Sequence, residues 1–119
     1  MTRDGRRVLV VEDEMMVALF LEDALLDLGF EVVGPALHLD DALKLAQEAT
    51  LDLAILDVNL NGLQSFPVAD ALRARGVPFL FATGYGTGGL AGRYRDVLTL
   101  KKPFKMQEVE KAFAQIAHS

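Results

Sequence analysis

Carboxylates, a hydroxyl and an ammonium stand where apolar runs of this sequence stop. Glu12 and Asp13 follow the run 8–11, Asp57 follows 53–56, Thr83 follows 79–82, and Lys102 comes just after 97–100. Three carboxylates brought together without a cation would repel and raise one another's pKa. Their convergence therefore calls for a hard divalent ion such as Mg²⁺. A hydroxyl and an ammonium beside such an ion donate to anionic oxygens of the kind a phosphoryl group presents.

Convergence requires that the four runs be parallel strands, whose carboxyl ends share the edge where an open α/β sheet places its ligand crevice. The runs are continuous rather than alternating, as expected of strands covered on both faces. Between the first two, residues 14–28 lack Gly and Pro and set Val17, Phe20, Leu21, Ala24, Leu25 and Leu28 along one helical stripe, with Gly29 as the stop. Residues 31–34 form a weak second strand. A second helix runs from Asp40 or Asp41 to Ala49, and a third spans 65–75, closed by Gly76. From Phe104 onward, Val109, Ala112, Phe113, Ile116 and Ala117 recur at helical spacing. Five βα units of a doubly wound α/β sheet result. The fourth helix is the least specified, because five of the ten glycines fall between Gly84 and Gly92.

At 119 residues and 51% hydrophobic content the chain suits one domain with a real core. A net charge of −5 argues against non-specific DNA or anionic-membrane binding. Arg3, Arg6 and Arg7 read as a solvated tip before the first strand. The absence of cysteine excludes disulfides and thiol chemistry and is compatible with cytoplasm. Glu12, Asp13 and Glu14 cut the first apolar run too short for an export segment, and no run approaches a membrane span.

Four motifs carry a resemblance: Val8-Leu9-Val10-Val11-Glu12-Asp13-Glu14, Leu56-Asp57-Val58-Asn59-Leu60-Asn61-Gly62, Phe81-Ala82-Thr83-Gly84-Tyr85 and Lys102-Pro103-Phe104. Together, and in this order, they resemble receiver domains of two-component response regulators across nearly the whole chain. The resemblance implies a single flavodoxin-like domain over 1–119, with sheet order 2-1-3-4-5 and five flanking helices. It implies that Asp57 is the phosphoacceptor, and that Glu12, Asp13, Asp57 and a backbone carbonyl of Asn59 hold Mg²⁺. Thr83 and Lys102 would sense and neutralise the phosphoryl group. The donor would be a histidine kinase or a phosphotransfer protein, and the chain would catalyse its own modification rather than turn over a substrate repeatedly. A cis Lys102–Pro103 bond is expected on the same ground.

Thr99 stands where most receivers carry a switch aromatic, three positions before Lys102. The motif at 81–85 is similar instead to that of mostly stand-alone regulators of alphaproteobacteria, so Tyr85 and Thr83 become switch candidates beside Thr99. Phosphorylation is expected to draw Thr83 inward and order the glycine-rich loop. The end at Ser119 leaves no output domain in this sequence, which suggests output by binding or phosphate flow. Met15, Leu19 and Leu26 on the first helix, with Pro103, are candidate partner contacts, and a monomer or weak dimer is expected.

Other functions fit less well. Gly84 to Gly89 matches a dinucleotide fingerprint in form, but follows the fourth strand rather than the first. An aspartyl phosphohydrolase would want a second Asp at position 59, where Asn59 stands. A degenerate scaffold receiver has no need of the full set Glu12, Asp13, Asp57, Thr83 and Lys102.

Overall fold

The computed structural model describes residues 5–84 and 92–117. In chain order its elements are β1 (Arg7–Val11), α1 (Met15–Asp27), β2 (Glu31–Ala36), α2 (Leu39–Glu48), β3 (Leu53–Asp57), β4 (Asn59–Leu60), β5 (Leu63–Gln64), α3 (Phe66–Ala74), β6 (Phe79–Thr83), a 3-10 turn (Gly92–Tyr94), β7 (Thr99–Lys101) and α4 (Met106–Ala117). Five strands form one parallel sheet in the order β2-β1-β3-β6-β7, the expected 2-1-3-4-5 once the small β4–β5 hairpin is set aside.

Successive side chains of a strand point to opposite faces, so each central strand feeds two cores. Leu9, Val11, Ala54, Leu56, Phe79 and Phe81 face Ala42 and Ala46 of α2 and Val68, Ala69 and Leu72 of α3. Val8, Val10, Leu53, Ile55, Leu80 and Ala82 face Leu21, Ala24 and Leu25 of α1 and Val109, Ala112 and Phe113 of α4. The double-sided burial explains why the strand sequences do not alternate.

Several expectations need correction. Arg7 is not part of a solvated tip but opens β1: its backbone N–H donates to Asp52 Oδ2 at 2.8 Å and its Nε–H to the Thr50 carbonyl at 2.7 Å. Among the described residues there are four α-helices rather than five; residues 85–91, where the fourth of the expected helices would begin, lie outside them, and the 3-10 turn at Gly92–Tyr94 follows. Phe20 is not in the buried stripe of α1: it is 38% exposed, and Ala18 takes the core position. β2 does not end at Gly34 but runs to Ala36. Pro35 is tolerated there because β2 is an edge strand. Its pairing with β1 shifts register between Leu9 and Val11, so that the Glu12 amide donates to the Ala36 carbonyl at 3.0 Å. Gly34 enables that shift. Its φ is +96°, and a Cβ there would lie 2.7 Å from the Ala36 nitrogen and 3.0 Å from the Val10 carbonyl oxygen.

Candidate functional site

The parallel register delivers Glu12 and Asp13 just past β1, Asp57 at the end of β3, Thr83 at the end of β6 and Lys102 just past β7. Asp57 pairs with Ala82 across β3 and β6, and Thr83 pairs with Lys101 across β6 and β7. The Lys102 amide then donates to the Thr83 carbonyl at 2.8 Å, which keeps the carboxyl ends of β6 and β7 together. The Lys102–Pro103 peptide is cis, as expected, and so is Gly34–Pro35.

Burial sets the character of these groups. Glu12 is fully buried, Asp57 is 5% exposed and Thr83 4%. The Lys102 ammonium is held among three carboxylates: its Nζ is 2.8 Å from Glu12 Oε1, 3.0 Å from Glu14 Oε1 and 3.1 Å from Asp57 Oδ2. Glu12 also accepts the Glu14 backbone N–H through Oε2 at 3.0 Å. Burial, and after it the Glu12 charge, push the Asp57 carboxyl up to about 7 against the pull of Lys102. Burial alone would lower the Lys102 pKa, but its bonds to Glu12 and Glu14 and the Asp57 charge raise it above its ordinary value.

Oxygens of Glu12, Asp13 and Asp57 lie within 4.8 Å of one another. Glu14 brings the carboxylates here to four, three of them in contact with the Lys102 ammonium, and an all-oxygen donor set with surplus negative charge suits a hard divalent cation. The sites form a cleft of about 300 Å³ lined by Asp13, Glu14, Asp57, Asn59, Gly62, Gly84 and Lys102. Asp13 is partly exposed at this cleft. Burial raises its pKa, but the Asn61 backbone N–H and bonds with Asp57 and Glu12 outweigh that and lower it.

Asn59 and its neighbours form a hairpin over the site. The Asn59 amide approaches Asp57 Oδ1 at 3.4 Å, and Asn59 Oδ1 accepts the Gly62 N–H at 3.0 Å. The hairpin was not evident in the sequence, although the Asn61-Gly62 pair is a hairpin-turn signal. Glu14, legible only as part of an acidic run, and Asn61 are the polar residues whose place at the site the motifs did not assign.

The switch candidates separate. Thr83 joins the site, whereas the Thr99 hydroxyl donates to the Val97 carbonyl at 3.1 Å, back along its own chain. Tyr85 lies outside the described residues, as does most of the glycine-rich loop. A buried aromatic nevertheless stands near Thr99: Tyr94 packs on Phe81, which pairs with Thr99, at a ring separation of 5.6 Å. Its hydroxyl donates to Asp70 of α3, and the guanidiniums of Arg73 and Arg93 lie 4.5 Å and 4.9 Å from its ring centre.

Of the partner-surface residues, Met15, Leu19 and Leu26 are 52%, 46% and 54% exposed. An apolar groove of about 430 Å³ lies beside Lys102, lined by Pro103 and Phe104 with Met16, Val17 and Phe20. Pro103 thus meets the Met16 and Phe20 side of α1, while Met15, Leu19 and Leu26 do not line the groove.

Residues 8–114 match the family model described as the response regulator receiver domain. The transcriptional regulatory protein PdtaR of Mycobacterium tuberculosis is 31% identical over 108 residues, a match covering 87% of this chain and 53% of that protein. The chain thus spans about half the length of that curated relative. The solution structure of SdrG from Sphingomonas melonis Fr1 superposes with a TM-score of 0.85 at 43% identity, covering 98% of both chains. The receiver domain of the sensor histidine kinase PA1611 from Pseudomonas aeruginosa PAO1, solved with a magnesium ion in its active-site cleft, superposes with a TM-score of 0.81 at 25% identity, over 97% of this chain and 99% of that one.

Proposed function

The chain belongs to the response regulator receiver family, and from that premise we propose that it receives a phosphoryl group on Asp57 from a phosphohistidine of a histidine kinase or phosphotransfer protein. The observation that carries the reading is the placement of Asp57: a nearly buried carboxylate 3.1 Å from the Lys102 ammonium and clustered with Glu12 and Asp13.

Glu12, Asp13, Asp57 and the Asn59 carbonyl would hold Mg²⁺. When bound, the ion favours the ionised form of Asp57 and offsets charge on the phosphoryl oxygens. An Asp57 carboxylate oxygen forms the new bond to phosphorus as the donor P–N bond breaks, and the imidazole departs with that electron pair. Lys102, now shared among carboxylates, turns its ammonium toward the phosphoryl oxygens, and the Thr83 hydroxyl donates to them. Water later cleaves the acyl phosphate, restoring the carboxylate and releasing orthophosphate. The chain is thereby a modified signal carrier or a phosphate sink, not a multiple-turnover enzyme.

Incubation with Mg²⁺ and a small acyl phosphate tests this reading by intact mass. One phosphoryl adduct is expected, absent in Asp57→Asn; rapid orthophosphate release with no adduct would favour a phosphohydrolase and overturn it.

A further inference from the structure

The tip of the β4–β5 hairpin sits on a member of the carboxylate cluster. The Asn61 backbone N–H donates to Asp13 Oδ2 at 2.9 Å. Its side-chain amide reaches away from the site and donates to the Leu37 carbonyl at 3.0 Å, with His38 Nδ1 at 3.3 Å. Leu37 and His38 connect β2 to α2, so one residue joins the end of β1, the hairpin and the β2–α2 connection.

Turn chemistry explains part of this residue's choice. Asn61 has φ +52° and Gly62 φ +84°, and two successive left-handed residues mark the hairpin turn that favours Asn-Gly. It is the one non-glycine with positive φ among the described residues. A turn of this kind needs only the backbone, however; Gly or Asp at its first central position serves as well. The carboxamide bridge to Leu37 and His38 is therefore additional.

We infer that Asn61 is a positioning residue for the metal site: its carboxamide anchors the hairpin tip to the β2–α2 connection, so that its backbone N–H holds the Asp13 carboxylate in a cation-binding orientation. Residues that orient metal ligands commonly change affinity by roughly 10- to 100-fold when replaced. The inference rests on the Mg²⁺ site of the proposed function, yet it can fail separately.

Titration calorimetry of Mg²⁺ alone, without a phosphodonor, on the full chain tests it. Asn61→Gly keeps the turn and the backbone N–H but deletes the anchor, and its Mg²⁺ dissociation constant should rise roughly tenfold. Asn61→Asp also keeps the turn, but sets an acceptor against the Leu37 carbonyl. It should lose affinity despite an added negative charge, which by itself would tighten cation binding. The phosphorylation rate of Asn61→Gly should recover at saturating Mg²⁺, since the defect lies in binding.

A lowered melting temperature in the metal-free variants with an unchanged Mg²⁺ dissociation constant would give Asn61 a purely structural part and overturn the inference. So would tighter binding by Asn61→Asp. Mg²⁺ binding by the unsubstituted chain with no adduct at Asp57 would instead overturn the phosphoacceptor reading and leave Asn61 in place. A chain that binds no Mg²⁺ would sink both.

Discussion

Lys102 Nζ lies 3.1 Å from Asp57 Oδ2 and 2.8 Å from Glu12 Oε1, so a single ammonium answers two carboxylates that the fold has almost wholly removed from water. That arrangement governs stability as well as chemistry, because a buried carboxylate stripped of its cation is costly.

Replacement of Lys102 by Met should therefore destabilise the metal-free chain by about 3 kcal/mol at pH 7.5, toward the low end for a broken buried pair because the lysine is partly solvated. Urea denaturation measures this. The penalty should shrink at pH 5, where Asp57 takes up a proton, and equal penalties at the two values would contradict the charge account.

Asp57 itself makes stability depend on pH. Its folded pKa of about 7 exceeds the ordinary 3.8, so between these values the folded chain holds a proton that the unfolded chain has released. The Asp57 contribution is then lost as pH rises from about 4 to about 7. Metal-free melting temperatures should fall over that window, and less so in Asp57→Asn.

Mg²⁺ held as proposed would act on the same group with the opposite sign. A cation at this site would take the ionised carboxylate, so its affinity should grow with pH up to about 7 and then level off. Free Mg²⁺ at about 100 times its dissociation constant should add about 2.7 kcal/mol of stability. Calorimetry in buffers of differing ionisation heat would reveal the released proton.

Gly34→Ala should cost about 1 to 3 kcal/mol, since the new Cβ meets backbone atoms at 2.7 Å and 3.0 Å and φ is +96°. The Ala36 carbonyl that binds the Glu12 amide belongs to the same bulge. Weakened Mg²⁺ binding should accompany the loss of stability measured by denaturation.

Leu19→Asp should leave the fold and the small-molecule phosphorylation rate unchanged, because the side chain is 46% exposed and away from the cleft. Transfer from a cognate phosphohistidine should slow if this face of α1 docks the donor. Parallel substitution of Met16, which is 81% exposed and lines the groove beside Pro103, tells the two sides of the helix apart.

The central strands were legible because burial on both faces leaves unbroken apolar runs, and the site followed from the polar residues that end them. The edges of the fold were not. β2 continues past Pro35 only because an edge strand does not need that missing N–H, and nothing local announces the bulge that Gly34 permits. The β4–β5 strands, at two residues each, are too short to show a period, and their signal was the Asn61-Gly62 dipeptide. Phe20 fitted the helical stripe, but its ring instead lies 6.0 Å from that of Phe104 near the groove. Tyr94 follows a glycine-rich stretch without periodicity, so its burial among Phe66, Phe79 and Phe81 could come only from tertiary packing.

The sequence has no tryptophan and only two tyrosines. One of them, Tyr94, is pinned between two guanidiniums and bonded to a carboxylate. Its ring also touches the strand that ends in Thr83. The molecule thus carries its own optical probe: any rearrangement of β6 must alter the polarity and asymmetry around this chromophore. Near-ultraviolet circular dichroism could follow the chain's change of state without a label.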